Sequence, residues 1–203
     1  MTNSPNLHPS RQDNARAAEY AGLVRRAAAG DREAMEGLLM RAQEVAFRFS
    51  LLVCGHAEDA EDVMQDALLR TYRHVHRIRD PEAFRTWLYR TVRNACLMKR
   101  RRRVGEPARL VSVEQGDRGD GHPFDVQDPA RGPHDIAANI NLAERLRDAL
   151  LSLAPPYRVV VVLREVEGLS TREVSAVLGI SEHNVKTRLH RARIQLRQRL
   201  EPL

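Results

Sequence analysis

The residues with the clearest binding chemistry form a run of cations and short polar groups near the C-terminal end. On a helix they would share an outward face, while Val185 and Leu189, four residues apart, face inward. Long cations and small polar groups suit the base edges and phosphates of the DNA major groove. A solvated basic face on an ordinary helical hairpin is the alternative. We predict that duplex DNA is bound by Lys186, Thr187, Arg188, His190 and Arg191.

The residues before this helix carry the signals of a helix-turn-helix. Ser170 and Glu173 have the spacing of a capping box, in which each side chain accepts a hydrogen bond from the other residue's backbone amide. Gly179 supplies the turn, because glycine adopts a positive φ at little cost. Ser181 can cap the second helix. Caps, turn and cations together favour a DNA-binding motif over a plain hairpin.

A second basic segment lies upstream, with eight basic residues and no acidic one between positions 85 and 103. Its aromatic residues alternate with arginines, and the run Lys99–Arg103 follows. Cations beside stacking surfaces suit single-stranded or melted nucleic acid. In the alternative interpretation, Phe84, Trp87 and Leu88 are core residues and the arginines face solvent. Phe84 and Leu88 are expected in the core in either case.

An acidic helix precedes this segment, with five carboxylates between Glu58 and Asp66 and no cation before Arg70. It could be a solvated face, or it could repel DNA and dock on a basic protein surface.

Helical periodicity and its interruptions predict an all-α protein of two small helical domains joined by a flexible linker. The Val159–Val162 run has strand propensity, but Pro155-Pro156 suits the first turn of a helix. Gly, Pro and Asp dominate the linker, whose composition is typical of chains that bury little apolar area. The predicted segments are a disordered tail (1–14), a first domain (15–103), an acidic linker (104–134) and a second domain (135–203).

The composition bears on function and location as well. The 203 residues carry a formal charge of +6, which favours polyanionic partners. No phosphate-binding glycine loop, dinucleotide fingerprint, His-Glu-x-x-His motif or paired Cys-His cluster occurs, so we expect no enzyme, cofactor, metal or small-molecule substrate. No signal peptide or run of about 20 apolar residues is present, which favours a cytoplasmic protein without membrane insertion. Cys54 and Cys96 are expected to be reduced, buried thiols, with a redox pair as the alternative.

Three stretches in this order resemble a bacterial RNA polymerase sigma factor of the extracytoplasmic-function class. The resemblance runs from about Ala21 to Leu200. The matching stretches are Asp59–Asp66, Phe84–Arg90 with Asn94, and Leu153–Arg158 followed by Glu167–Ser170, Asn184–Arg188 and Arg191–Arg193.

The resemblance implies a role for each stretch. The acidic helix would dock on the clamp helices of core RNA polymerase through Asp59, Asp62, Gln65 and Asp66. The first domain would open the duplex at the minus-10 promoter element and hold flipped bases. The second would read the minus-35 element as duplex, with the five residues named above on the groove-facing positions. The linker would thread through the polymerase. The minus-10 positions are Ile78, Trp87, Tyr89, Arg90, Asn94, Lys99, Arg100 and Arg101.

The resemblance also implies an anti-sigma protein as a partner, and two departures from the family pattern limit what is carried over. Ile78 stands where the family often has an aromatic residue, which weakens the case for stacking there. His183-Asn184 replaces a commoner small pair, so the minus-35 sequence does not follow from relatives. The competing hypothesis is a helix-turn-helix regulator that binds DNA without polymerase. Such a regulator does not require an acidic helix followed by a basic helix that contains tryptophan.

Overall fold

The computed structural model describes the backbone of residues 11–105 and 133–200, and the side chains of residues 18–99 and 142–200. Every regular element in these ranges is helical, which confirms the all-α prediction. Most of the predicted linker, residues 1–10 of the predicted tail and the side chains of Arg100 and Arg101 lie outside the described residues. The helices are α1 Arg11–Ala28, α2 Arg32–Cys54, α3 Ala57–His74, α4 Phe84–Gly105, α5 Pro133–Ser152, α6 Pro155–Val161, α7 Thr171–Leu178 and α8 Glu182–Leu200.

The first domain is organised around α2, which packs against α1, α3 and α4. The Asp31 carboxylate caps α2 by accepting from the Ala34 amide at 3.0 Å, and this bond holds the pKa of the Asp31 carboxyl below its usual range. Gly55 ends the helix with φ 86°, a conformation that other residues adopt only with strain. Buried side chains recur along α2 every three or four residues: Ala34, Leu38, Ala42, Ala46, Phe49 and Leu52.

Two short 3-10 turns, Val75–Arg77 and Pro81–Ala83, carry the chain from α3 to α4. Phe84 and Leu88 at the start of α4 are fully buried, as the sequence predicted. Phe49 contacts Tyr89 edge-on, with ring centroids 5.1 Å apart, so aromatic packing fixes α4 against α2.

The second domain packs α5, α6 and α7 against α8. The valine run is helical, as predicted, and it continues into a π-helical turn at Val162–Val166. The sequence pattern predicts helices over Thr171–Leu178 and Glu182–Leu200, which are the bounds of α7 and α8, while α1 begins at Arg11, inside the predicted tail. The two domains also touch, because α4 packs on α7 and α2 packs on α5 and α6. No sequence pattern indicated this contact between the domains.

Candidate nucleic-acid interface

The outward face of α8 presents the cations that the sequence assigned to duplex DNA. Val185 and Ala192 are fully buried and Leu189 nearly so, which orients the helix. Lys186, His190 and Arg191 are consequently exposed. Thr187 and Arg188 are half-buried, and the Thr187 hydroxyl donates to the His183 carbonyl at 3.0 Å. The exposed face is therefore mainly cationic. The short polar side chain of Thr187 bonds to the backbone of its own helix.

Local hydrogen bonds hold α7 and α8 in the helix-turn-helix arrangement. The Glu173 amide donates to the Ser170 hydroxyl at 3.2 Å, and the Ser170 amide donates to the Glu173 carboxylate at 2.7 Å. Gly179 adopts φ 67° between the helices. The Asn184 amide donates to the Ser181 hydroxyl at 3.2 Å. The predicted capping box, glycine turn and second cap are all confirmed.

Of the three aromatic residues of α4, Phe84 and Tyr89 are buried and Trp87 is partly exposed. Trp87 is half-buried, and its ring centroid lies 5.7 Å from that of Phe84. Tyr89 is only 2% exposed, and its hydroxyl donates to the Glu167 carboxylate of the second domain at 2.7 Å. Burial, reinforced by the Glu167 carboxylate, raises the pKa of the Tyr89 hydroxyl well above its usual value.

Two arginines of α4, Arg90 and Arg93, form hydrogen bonds with the second domain. Arg90 donates to the Ala176 carbonyl, and Arg93 donates to the Val177 carbonyl at 2.7 Å. Burial, and secondarily the charge of Arg90, lower the pKa of the Arg93 guanidinium. Asn94 is exposed. Of the other assigned positions, Ile78 packs partly against the core and Lys99 forms an ion pair with Asp62.

The four assigned positions on α3 are not equally accessible. Asp59 is 8% exposed and lies near the start of the helix. Asp62, Gln65 and Asp66 are exposed, and Asp66 pairs with Arg70 at 3.5 Å. Three of the four positions therefore offer polar groups to a partner surface.

A buried carboxylate joins the two domains, and the sequence reasoning missed its role. Arg48 on α2 donates to both Glu167 oxygens, at 2.9 and 2.7 Å, and this pairing raises the pKa of Arg48. Arg85 on α4 donates to the Glu167 backbone carbonyl at 3.3 Å. In the sequence Glu167 is one of two carboxylates that follow an apolar run, and such a pattern does not identify a distant partner.

The two cysteines are linked, so the expectation of two reduced thiols is wrong. Cys54 at the end of α2 is bonded to Cys96 on α4, with the Cα atoms 5.3 Å apart. Helix packing, which sequence spacing does not reveal, brings them within bonding reach. The pair borders a cavity of about 510 Å³ between the domains, which Arg93, Arg158 and Arg188 also line.

Within the described ranges, no helix is long and apolar enough to cross a bilayer. The same part of the chain contains no group of three or more side chains suited to a metal ion.

These features define a two-domain helical protein that pairs an aromatic and basic helix with a helix-turn-helix whose second helix has an exposed cationic face. Two family models match the chain, Sigma-70 region 2 over residues 38–105 and Sigma-70, region 4 over residues 143–196. The first match lies almost entirely within the first predicted domain, and the second lies within the second.

Curated relatives give the same result along most of the chain. The ECF RNA polymerase sigma factor SigE of Mycolicibacterium smegmatis is 35% identical over 176 residues, which cover 85% of this chain and 65% of SigE. The ECF RNA polymerase sigma-E factor of Escherichia coli is 31% identical over 190 residues, covering 89% of this chain and 94% of the relative. The chain therefore belongs to the ECF family of RNA polymerase sigma factors, which confirms the resemblance.

Solved structures share the fold. The sigma factor RpoE of Bartonella quintana, in complex with the anti-sigma factor NepR, aligns with a TM-score of 0.58 and 21% identity, over 81% of this chain and 95% of RpoE. CnrH, in complex with the cytosolic domain of CnrY, aligns with a TM-score of 0.59 and 24% identity, over 89% of this chain and 96% of CnrH.

Proposed function

We propose that this chain binds core RNA polymerase and directs it to promoters, reading the minus-35 element as duplex and opening the minus-10 element. The observation that carries the proposal is the exposed cationic face of α8, in a chain that matches both sigma-70 regions. The protein acts by binding, without catalysis of its own, and it works in the bacterial cytoplasm where promoter DNA and polymerase are found.

Duplex recognition belongs to α8. Lys186, His190 and Arg191 extend from its exposed face, and Arg188 lies beside them at the domain boundary. Arginine fits the guanine edge in the major groove with two parallel hydrogen bonds. Each such base contact contributes about 1–3 kcal/mol of discrimination, while lysine contacts to phosphate add affinity that falls with salt.

Strand opening belongs to the first domain. Unstacking a base costs a few kcal/mol, so a surface that holds flipped bases must compensate with stacking and hydrogen bonds. Trp87 offers a partly accessible ring, and Asn94 offers an exposed amide. Tyr89 and Arg90 complete the proposed set, with Ile78 on the preceding loop. Lys99, Arg100 and Arg101 are proposed to hold the phosphates.

Polymerase docking belongs to α3, where Asp62, Gln65 and Asp66 are exposed and acidic or polar. Asp59 is proposed to take part from its more buried position at the start of the helix. The same surfaces are proposed to bind an anti-sigma protein. The shared fold with RpoE and CnrH, both solved with protein partners, supports that part of the proposal.

The test is a pull-down with bacterial core RNA polymerase, followed by run-off transcription on genomic promoter fragments. Stable association and promoter-specific transcripts that core polymerase alone cannot start are expected. Tight binding of duplex DNA without any association with polymerase would instead indicate a stand-alone regulator.

Two pairs of substitutions separate the roles of the domains. Arg188→Ala with Arg191→Ala should weaken minus-35 recognition by about 1–3 kcal/mol for each base that is no longer bound, with polymerase association unchanged. Asp62→Ala with Asp66→Ala should instead weaken polymerase association. Matched controls on the same helices are Arg197→Ala and Glu61→Ala, both exposed residues outside the proposed contacts. The domain assignment fails if the arginine pair changes only polymerase binding.

A further inference from the structure

The cavity of about 510 Å³ that the disulfide borders has no ligand among the roles proposed above. Its volume falls in the range of roughly 300–1,000 Å³ that is typical of sites for small organic molecules. Residues of α2, α3 and α4 line one side of the cavity, and residues of α5, α6, α7 and α8 line the other. The wall is therefore assembled from elements that are far apart in the sequence, and no local motif predicted it.

Most of the cavity wall is apolar. Five helices each contribute an aliphatic side chain, and the disulfide forms part of the same surface. A wall of this kind favours a ligand with an apolar body, because apolar surface on the ligand and on the wall then leaves water together. The five aliphatic residues are Val53, Leu97, Leu151, Val159 and Leu178.

The charged part of the wall is mainly cationic. The guanidinium groups of Arg93, Arg158 and Arg188 line the cavity, whereas Asp59 supplies the only carboxylate in the lining. The Arg158 guanidinium is bonded within the protein, since it donates to the Leu151 carbonyl at 2.7 Å. Arg93 and Arg188 remain as the cations with donors to spare, and the cavity has an excess of positive charge.

The surroundings of these two arginines leave their charges without a matching carboxylate. Arg93 donates to the neutral Val177 carbonyl at 2.7 Å, and a guanidinium has further N–H donors. Burial, and secondarily the charge of Arg90, lower the pKa of Arg93, as expected for a cation that no carboxylate compensates. In the part of the chain that the structure describes, the half-buried Arg188 guanidinium forms neither a hydrogen bond nor an ion pair.

We propose that this cavity binds an organic anion, a molecule that joins an apolar body to one carboxylate, sulfonate or phosphate group. The anionic group accepts charge-assisted hydrogen bonds from Arg93 and Arg188, which are the stronger kind of hydrogen bond. The apolar body lies against the aliphatic wall. Neither an inorganic anion nor an uncharged apolar molecule matches both parts of the cavity.

Occupation of this site has a consequence for DNA binding, and that consequence rests on the proposed function. Arg188 is one of the residues assigned to the minus-35 duplex. Its guanidinium cannot bond the anion and a base edge at the same time, so the ligand and the duplex compete for it. The site itself does not depend on promoter recognition, because its volume and charge belong to the chain alone.

The experiment uses the full chain in its disulfide-bonded form and two probes with the same apolar body. Anilinonaphthalenesulfonate carries a sulfonate, and N-phenylnaphthylamine lacks it. Both probes fluoresce more strongly in apolar surroundings, so titration gives the affinity and the number of molecules bound. Inorganic phosphate, an anion without an apolar body, is added as a competitor.

Wild type should bind one molecule of the sulfonate probe, at least roughly tenfold more tightly than the neutral probe. A hydrogen bond to a charged group contributes enough for a factor of this size. Inorganic phosphate at the same concentration as the sulfonate probe should not displace it.

Two variants separate the charge of the site from its volume. Arg188→Met keeps an unbranched apolar side chain and removes the charge, so the sulfonate probe should bind at least roughly tenfold more weakly, with the neutral probe unaffected. Leu97→Trp fills the cavity without a change of charge and should weaken both probes. The control is Arg197→Met, at an exposed cation further along α8, which should bind both probes like wild type. Circular dichroism checks that each variant retains its helix content.

Equal affinity of wild type for the two probes, several sulfonate molecules bound per chain, or unchanged sulfonate binding by Arg188→Met would each overturn the site. A promoter fragment recovered from the run-off experiment should weaken sulfonate binding by wild type. Promoter-specific transcription without this competition would overturn the shared use of Arg188. Failure of the proposed function has a different signature, in which the chain supports no transcription with polymerase but still binds the sulfonate probe through Arg188.

Discussion

At the residue scale, the buried hydroxyl of Tyr89 is the polar group whose surroundings have the clearest consequence for stability. Tyr89 is buried, contacts Phe49 edge-on and donates to Glu167. An ionised tyrosine in that position would lose hydration and face a carboxylate. Both effects favour the protonated phenol, and they explain why its pKa is raised.

This raised pKa predicts a loss of stability at alkaline pH. A group whose pKa is higher in the folded chain contributes fully below its unfolded value, here near 10.0, and loses its contribution as pH rises further. The free energy of unfolding should therefore fall above pH 10, as measured by urea denaturation at several pH values. Tyr89→Phe should show a shallower fall than wild type. The control Tyr72→Phe, at an exposed ring, should follow wild type. Equal slopes for wild type and Tyr89→Phe would contradict this.

At the element scale, short helices depend on their ends. Helix α7 has eight residues, so most of its backbone groups lie within a turn of one terminus. Its capping box satisfies amides at the N-terminal end, and Gly179 closes the other end in the left-handed conformation. Because α7 packs against α8 and buries Val174 and Val177, its ends also help to set the orientation of α8.

Removing the cap should therefore destabilise the second domain. Ser170→Ala is expected to lower its free energy of unfolding by about 0.5–2 kcal/mol, because an N-cap acceptor is lost. Thermal or urea unfolding followed by circular dichroism measures the change. Ser152→Ala removes an exposed hydroxyl that bonds only a nearby carbonyl, Ala149, and provides the comparison. If the two alanine variants are equally stable, the capping argument is wrong.

At the scale of the whole molecule, two links join residues that are far apart in the sequence: the Cys54–Cys96 disulfide and the Arg48–Glu167 ion pair. The disulfide joins α2 to α4 across 42 positions, a span that contains α3 and most of the residues proposed to contact polymerase and the minus-10 element. The Glu167 pairing joins positions 48 and 167, across the predicted linker. The first link holds one domain together, and the second holds the two domains against each other.

Reduction should consequently weaken the first domain. Opening a loop of this length releases chain entropy in the unfolded state, worth about 4 kcal/mol in the loop-closure description. Urea unfolding with and without dithiothreitol should show the difference, with free thiols counted by a chromogenic reagent. The double variant Cys54→Ser/Cys96→Ser should not respond to the reductant. If the free energy of unfolding of the wild type does not change after both thiols have been shown to be reduced, this expectation is contradicted.

The sequence by itself determined what depends on neighbouring residues. Periodicity, caps and turns are local, so the bounds of α7 and α8, the Ser170 cap and the Gly179 turn could all be predicted from nearby side chains. The outward cations of α8 followed from the same periodicity, because Val185 and Leu189 had to face the core. The linker composition then divided these local features between two predicted domains, and the family resemblance implied a role for each domain.

Only the tertiary structure decided which distant groups meet. Nothing in the spacing of Cys54 and Cys96 revealed that α2 and α4 would bring their Cα atoms within 5.3 Å. No neighbour of Glu167 along the chain indicated that Arg48 and Tyr89 would surround its carboxylate. Long-range pairing depends on how helices pack, and that packing is settled by the burial of many side chains at once rather than by any one segment.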